Sequence, residues 1–366
     1  MSSANDDGSC PGSFRFAPRG AAPPGARRNL IFPGLQQDSN VRCFILLTLL
    51  FSGSVAWAEP LPGNLLGDWS LQIKSGEAGW LSIRDEGGSP VVAMTVDVGT
   101  TRPRKGVQWV DGVLHVPLRG SRRGRQGLPG PRQSARVWWA EGMLQGEIVT
   151  TGAGGAETRD PFTGKAIPPM PPAPDLSRIK WGRPIVLFNG RDLTGWRTRR
   201  PEKLNGWSVS GGHLVNTTPK TDFSATGAYG NLRSEAVFGD CKLHIEFLIG
   251  EKRNSGVYLR GMYEAQVVDR DSPMQGIHGP GAIFNRIAPT RNAGKPGGEW
   301  QTYDLTLVDR HITVVLNGEK VIDNVAVPGP TAGAMHTDPV APGPLYLQGD
   351  HTSVKYRNII LTPRER

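Results

Sequence analysis

Apolar and polar residues alternate along most of the chain after residue 60, with the two-residue period of a strand that buries one side. Trp69, Leu71 and Ile73 fall on one face of such a run, and the odd-numbered residues from Leu243 to Ile249 on one face of another. No helical period of apolar residues continues for more than a few turns. The pattern therefore predicts an all-β protein.

Turn and proline signals divide these strands into two groups. Asp111-Gly112 and Asn317-Gly318 predict two-residue type I′ hairpin turns. Five prolines in residues 166–175 predict an extended, semi-rigid spacer. We therefore expect a small accessory domain over residues 59–165, an antiparallel β-barrel or β-sandwich of about six strands. A Pro-rich linker over 166–182 and a jelly-roll sandwich over 183–366 follow.

The N-terminal segment, residues 1–58, reads as an extension and a signal peptide. Arg42 precedes an apolar run of about a dozen residues, which ends in Ala56-Trp57-Ala58. The run is too short for a stable membrane span. We expect cleavage before Glu59, an extracytoplasmic location (periplasmic or secreted), and translation that starts at Val41 through an alternative codon. A lone hydrophobic strand is the competing interpretation.

Composition and cysteine use narrow the class of protein. The chain has 366 residues, 48 glycines and 31 prolines, which favours short strands joined by many turns. Of its three cysteines, Cys10 and Cys43 would be removed with the signal peptide. Cys241 would then be alone, so the mature chain could form neither an internal disulfide nor a thiolate metal cluster.

The net charge of +9 is concentrated in an arginine-rich stretch, with six arginines in residues 119–136. This stretch could attract acidic polysaccharide or an anionic surface. Glycine and proline interrupt it repeatedly, which favours a solvated hairpin loop instead. Nucleic acid is not expected as a partner of an exported protein without a recognisable binding module.

Residues 254–269, NSGVYLRGMYEAQVVD, combine a strand pattern with polar side chains that a sheet does not require. Glu264 and Gln266 would point the same way in an extended strand, and a bulge could bring Asp269 to that face. An ion pair between Arg260 and Glu264 on a solvated face is the simpler interpretation. Asn254 could be a turn residue or contact a ligand.

Seven sequence blocks give the second half of the chain a family resemblance. In order they are LFNGRDLTGW (187–196), WSVSGGHLV (207–215), NSGVYLRG (254–261), YEAQVVD (263–269), GEWQTYDLTL (298–307), LNGEKVID (316–323) and LQGDH…YRNI (347–359). Together they resemble the 3-keto-disaccharide hydrolase family. The resemblance implies a concanavalin-like jelly roll that cleaves 3-keto-glycosides, either as a hydrolase or as a 1,2-lyase with 3-keto-2-hydroxy-glucal hydratase activity.

The chemistry of such substrates suggests roles for the polar strand. A ketone at C3 acidifies the C2 proton, so a base there can expel the glycosidic oxygen by β-elimination. We expect Glu264 to be this base or a metal ligand, Gln266 to orient the sugar, and Arg260 to face the keto oxygen. The spacing E-x-Q-x-x-D is similar to the carboxylate strand E-x-D-x-x-E of some jelly-roll glucanases. Neutral Gln266 at its centre disfavours a double-displacement glycosidase.

Further candidates lie elsewhere in the jelly roll. The resemblance implies that His351 is a general acid/base or a ligand, with Gln348 on a strand facing Gln266. Lys295 is expected at the rim of the site, and Tyr258 is a candidate for stacking on the sugar ring. A divalent cation would help to polarise the C3 carbonyl, although the sequence contains no spaced ligand motif. No nucleotide cofactor is expected.

Two other functions fit the same sequence. The jelly roll could be a non-catalytic carbohydrate-binding module, which would keep its sugar affinity in a Glu264→Gln variant. It could also be the scaffold of a structural or adhesive surface protein, which only the arginine-rich stretch favours. The oligomeric state and the linked sugar do not follow from the sequence.

Overall fold

The structure is a computed structural model that describes residues 60–97, 101–119, 132–152, 154–219 and 228–365. The predicted extension and signal peptide lie outside these ranges, as does most of the arginine-rich stretch. Within the described ranges, no helix has the length and hydropathy needed to cross a bilayer.

Twenty-one strands and three short 3-10 helices make up the described fold. The strands of the N-terminal part are β1 (Gly67–Ile73), β2 (Ala78–Glu86), β3 (Ser89–Val96), β4 (Gln108–Val110), β5 (Val113–Arg119), β6 (Arg132–Ala140), β7 (Met143–Thr151) and β8 (Glu157–Ile167). Those of the C-terminal part are β9 (Ile185–Val186), β10 (Trp196–Thr198), β11 (Trp207–Ser210), β12 (His213–Asn216), β13 (Leu232–Phe238), β14 (Cys241–Ile249), β15 (Asn254–Leu259), β16 (Tyr263–Val268), β17 (Trp300–Val308), β18 (His311–Leu316), β19 (Glu319–Ala326), β20 (Gly343–Leu347) and β21 (Val354–Pro363). The 3-10 helices are Gly63–Leu65, Leu176–Arg178 and Gly276–His278.

The N-terminal strands form one antiparallel sheet in the order β3-β2-β1-β8-β7-β6-β5-β4, eight strands rather than about six. The sheet curls into a nearly closed barrel around a core of its own, which includes Trp69, Leu81 and Phe162. Arg104 links two distant strands, because its guanidinium donates to the carbonyl oxygens of Met94 in β3 (3.2 Å) and Leu118 in β5 (2.8 Å). An antiparallel β-barrel is thus confirmed as the form of this part.

The C-terminal strands form a jelly-roll sandwich, as predicted. One sheet has the order β10-β13-β20-β15-β16 and the other β11-β12-β21-β14-β17-β18-β19, with β9 added beside β21. In β14 the odd-numbered residues are buried in the core between the sheets, while His244, Glu246 and Leu248 are partly exposed on the outer face. Burial of one side of each strand explains the two-residue sequence period.

The hairpin turns follow the sequence signals. Asp111 and Gly112 have φ of 49° and 74°, and Asn317 and Gly318 have φ of 53° and 84°. Two successive residues in the left-handed region are what a type I′ turn requires, and Asp, Asn and Gly adopt it at low cost. Both predicted turns are therefore confirmed.

The Pro-rich segment lies against the jelly roll and is not a free spacer. The guanidinium of Arg310 donates to the carbonyl oxygen of Pro168 (2.8 Å), and the side-chain amide of Asn324 donates to that of Pro174 (2.9 Å). Both hydrophobic cores belong to one compact unit. The domain boundaries themselves stay predictions.

Candidate active site

The five-stranded sheet carries a pocket on the face turned away from the core. Its volume is about 570 Å³, within the range of roughly 300–1,000 Å³ of small-molecule sites. Six of the predicted site residues line it, namely Asn254, Tyr258, Glu264, Gln266, Gln348 and His351. They come from β15, β16 and the segment after β20, and these strands belong to one sheet although up to 97 positions separate the residues in sequence.

Strand register explains how these side chains share one face. Tyr258 in β15 pairs with Glu264 in β16 on one side and with Tyr346 in β20 on the other. One row along the sheet is therefore Tyr346–Tyr258–Glu264. In the next row Gly256 pairs with Gln266, and the backbone N–H of Gln348 donates to the Gly256 carbonyl oxygen (2.9 Å).

Gly256 makes room for the carboxyl group of Glu264. A Cβ atom at position 256 would lie 2.9 Å from both Cγ and Cδ of Glu264, and closer still to Oε1. Any side chain here would overlap the carboxyl group. Glycine at this position thus allows Glu264 to lie across the neighbouring strand at the floor of the pocket.

Glu264 is an acidic residue that is almost completely buried. Its side chain lies at the pocket floor and the residue is 2% exposed. Burial raises the pKa of its carboxyl group well above the ordinary 4.5; the Tyr258 hydroxyl opposes this and Asp350 adds to it. Burial likewise raises the pKa of Tyr258, so its hydroxyl stays protonated. A carboxylate whose pKa is raised is a stronger base than that of an exposed glutamate.

Three carboxamide groups at the pocket have oxygen atoms without a protein partner. Oδ1 of Asn254, Oε1 of Gln266 and Oε1 of Gln348 are buried and accept no hydrogen bond from the described part of the chain. Unpaired buried acceptors are costly, and groups of them commonly mark a ligand or solvent site. Their chemistry suits the hydroxyl groups of a sugar.

His351 lies at the pocket beside a carboxylate. Its Nδ1 is 2.7 Å from Oδ1 of Asp350. The side-chain oxygen of Asn231 accepts from the backbone N–H groups of Gly349 (2.6 Å) and Asp350 (2.9 Å), which fixes this loop. Thr352 accepts from the Asn254 N–H (2.8 Å), so the loop is also joined to β15. A carboxylate at Nδ1 orients the ring and leaves Nε2 for a substrate.

Arg199 is a pocket residue that sequence reasoning missed. Its guanidinium lies over the Tyr346 ring, 5.5 Å from the centroid, and donates to the Tyr346 hydroxyl (3.3 Å) and the Gly333 carbonyl oxygen (3.2 Å). Burial lowers its pKa, but Tyr346 and Asp97 raise it and the net change is upward. Arg199 stands in a loop sequence, RTRRPEK, with no signal that separates it from its neighbours.

Arg260 is not part of the pocket, contrary to the prediction. It occupies the three-residue turn between β15 and β16 with φ 55°, and the turn directs its guanidinium elsewhere. That group pairs with Asp240 (2.8 Å) and donates to the Pro339 carbonyl oxygen (2.6 Å). The proposed ion pair with Glu264 is also wrong.

Asp269 and Lys295 also lie outside the pocket. The register of the fully described β15–β16 pair has no shift, so the bulge that would have turned Asp269 is absent there. The Asp269 carboxylate instead accepts from the Lys252 N–H (3.0 Å). The ammonium group of Lys295 donates to the Trp300 carbonyl oxygen (3.0 Å). Both side chains hold loops in place.

The described residues contain no group of three or more His, Cys, Asp or Glu side chains placed to hold a metal ion. The oxygen atoms at the pocket that could coordinate a metal include those of the Glu264 carboxyl group and of the three carboxamides. These are hard ligands of the kind that Mg²⁺ and Ca²⁺ prefer.

Comparison with known proteins identifies the C-terminal part. Residues 183–362 match the family described as the 3-keto-alpha-glucoside-1,2-lyase-like domain, in agreement with the resemblance seen in the sequence blocks. No protein of curated function matches the chain.

Several solved structures are similar in fold. A "putative glycosyl hydrolase" from Parabacteroides distasonis is 25% identical, with 54% of this chain and 93% of that chain covered and a TM-score of 0.39. The endo-beta-1,3(4)-glucanase SCLam of family GH16 is 15% identical, with 55% and 94% covered and a TM-score of 0.33. The carbohydrate binding module CBM66 from Bacillus subtilis is 12% identical, with 45% and 93% covered and a TM-score of 0.29. At these TM-scores the similarities assign no function.

Proposed function

Residues 183–362 form a 3-keto-alpha-glucoside-1,2-lyase-like domain, and from this premise we propose that the protein cleaves the glycosidic bond of 3-keto-glycosides. The observation that carries the proposal is the buried Glu264 carboxyl group at the floor of a pocket, together with three carboxamide oxygens there that have no hydrogen-bond partner among the described residues. An acid/base group and several acceptors for hydroxyl groups are what a sugar undergoing proton abstraction needs.

The reaction begins with removal of the C2 proton. The C3 ketone makes this proton acidic, and the electron pair of the C2–H bond forms the enolate. That pair then forms the C1–C2 double bond as the bond from C1 to the glycosidic oxygen breaks. The leaving oxygen takes a proton and departs as an alcohol. Water added across the new double bond gives the free 3-keto sugar.

Glu264 is the group we assign to the C2 proton. The raised pKa of Glu264 makes its carboxylate a stronger base than that of an exposed glutamate. The difference in proton affinity between the carboxylate and the C2 carbon is therefore smaller. Burial also keeps bulk water from competing for the enolate. The Tyr258 hydroxyl, in the same row of the sheet, is protonated and donates to the Ala332 carbonyl oxygen; it would turn from that bond to donate to the developing negative charge.

His351 is the group we assign to the leaving oxygen. The Asp350 carboxylate at Nδ1 orients the imidazole ring, and Nε2 is the atom from which His351 would donate a proton to the departing alcohol. Asn254, Gln266 and Gln348 would orient the ring by accepting from its hydroxyl groups.

A divalent cation is an additional proposal for this site. The Glu264 carboxylate and the carboxamide oxygens would hold it. When bound, such a cation would polarise the C3 carbonyl group. Export is also a proposal; sequencing of the N-terminus of the mature native protein should find Glu59 as its first residue.

Turnover of a nitrophenyl 3-keto-glucoside tests the proposed function. The full-length protein should release nitrophenol from the keto substrate and not from the same glucoside without the ketone. Glu264→Gln should abolish release, while Glu319→Gln, an exposed control, should not. A parallel assay with a chelator tests the cation.

If the folded protein releases nitrophenol from neither substrate, the proposed enzymatic activity is refuted. Sugar binding that survives Glu264→Gln without turnover would identify a carbohydrate-binding module instead.

A further inference from the structure

The N-terminal barrel reaches the sugar pocket through Asp97, which follows β3 and lines the pocket wall. This residue lies outside the family match, which begins at residue 183. Asp97 has φ 51°, a conformation that aspartate and asparagine tolerate better than most residues. Its backbone N–H donates to the Ala78 carbonyl oxygen (2.9 Å), which holds it at the end of the strand.

One connection of the jelly roll joins the barrel to the pocket. We call residues 327–342, between β19 and β20, the 327–342 connection. On its barrel side, Thr337 donates to the Gly79 carbonyl oxygen (2.5 Å) and accepts from the Ser70 hydroxyl (2.8 Å). Lys165 of β8 pairs with Asp338 (2.7 Å). These bonds come from three different strands of the barrel.

The same connection forms one wall of the pocket. The Tyr258 hydroxyl donates to the Ala332 carbonyl oxygen (3.0 Å), and Arg199 donates to that of Gly333 (3.2 Å). The Gly333 N–H in turn donates to the Asp97 carbonyl oxygen (2.8 Å). The barrel therefore fixes backbone that contacts two residues of the site.

Asp97 lies less deep in the pocket than the residues assigned to the reaction. Glu264, Gln266 and Tyr258 at the floor are at most 2% exposed, whereas Asp97 is half-buried. A sugar ring with its C2 at Glu264 would fill the floor. The group attached at C1 would then extend outward, towards the wall that carries Asp97 and Arg199.

We propose that the barrel is part of the substrate site, and that Asp97 is a specificity-determining residue that accepts hydrogen bonds from the hydroxyl groups of the leaving sugar. This inference rests on the proposed function and adds what the site requires of the leaving group, which is hydroxyl groups that can reach Asp97. An apolar aryl group has no hydroxyl to offer to Asp97.

Two variants and two substrates test the inference. Asp97→Asn removes the charge and keeps a residue suited to φ 51°. Asp111→Asn is the matched control, because Asp111 has φ 49° in an exposed turn of the same barrel and does not line the pocket. The substrates are the 3-keto derivative of a glucose disaccharide and the nitrophenyl 3-keto-glucoside.

Asp97→Asn should raise KM for the keto-disaccharide about tenfold, since hydrogen bonds to charged groups are stronger than neutral ones by roughly that factor. Its kcat, and both constants for the nitrophenyl substrate, should stay within about twofold of the control. An equal change with both substrates, or no change with either, would overturn the inference.

Calorimetric binding of the same keto-disaccharide separates this inference from the proposed function. If neither substrate is turned over, the proposed reaction fails. Binding about tenfold weaker in Asp97→Asn than in Asp111→Asn would still support the role of Asp97. Equal binding, or none, would refute it.

Discussion

Replacement of Gly256 by alanine should displace Glu264 without removing any polar group. The new Cβ atom would lie 2.9 Å from Cγ and Cδ of Glu264, whereas carbon atoms in contact prefer about 3.5–4.0 Å. The carboxyl group must therefore retreat by about 1 Å. The φ of Gly256 is not in the left-handed region, so the backbone accepts alanine.

Gly256→Ala should impair both catalysis and folding. Displacement of a reacting group by about 1 Å can lower turnover by about 10²-fold. Overpacking of a buried site costs about 1–3 kcal/mol of stability. We expect kcat/KM for the keto substrate to fall about 10²-fold in Gly256→Ala, with a decrease of a few degrees in Tm.

Steady-state kinetics and thermal unfolding of two glycine variants check this reasoning. Gly239→Ala is the control, because its Cβ atom would meet nothing closer than 3.9 Å. It should match the wild type in both measurements. A Gly256→Ala protein that keeps kcat/KM within threefold of the wild type would contradict the assigned position of Glu264.

Four further variants or measurements follow from buried groups. The free energy of unfolding of Glu264→Gln should exceed that of the wild type by an amount that grows as pH rises above about 4.5. A buried carboxyl group whose folded-state pKa is raised destabilises the folded state once pH exceeds its unfolded pKa, whereas glutamine does not ionise. Equal denaturation midpoints of the two proteins across pH would contradict this. Arg260→Met should lower the free energy of unfolding in urea by about 3 kcal/mol, because Asp240 loses one ion-pair partner, and KM should not change. A raised KM would indicate that Arg260 contacts the substrate. Thr337→Val should lower stability by about 1–3 kcal/mol in the same assay, since two buried hydrogen bonds are lost; no change would show that the barrel does not fix the 327–342 connection. Cys241, whose pKa burial raises to about 12, should react with iodoacetamide only after unfolding; alkylation of Cys241 itself in the native protein, located by peptide mass mapping, would show that it is accessible.

The contacts of the barrel change how its role is understood. The sequence predicted it only as a small accessory domain. In the structure it shares one compact unit with the jelly roll and supplies Asp97 to the pocket. Mutations in the barrel should therefore be read for effects on the sugar site as well as on stability.

The sequence by itself determined the features that depend on neighbouring residues. The two-residue period predicted the all-β fold, and Asp-Gly and Asn-Gly pairs predicted two hairpin turns, because both signals act over a few residues. It also placed Glu264 and Gln266 on one face of one strand, and both line the pocket. Six of the nine predicted site residues line the pocket, chiefly because they belong to the sequence blocks that resemble the family.

Only the tertiary structure decided the features that depend on distant parts of the chain. The turn at Arg260 directs its side chain to Asp240, and no local pattern predicts that partner. Arg199 and Asp97 reach the pocket from a loop and from the barrel. Loops have no period that fixes where a side chain points, and the pairing of strands far apart in sequence is decided by the packing of the whole core.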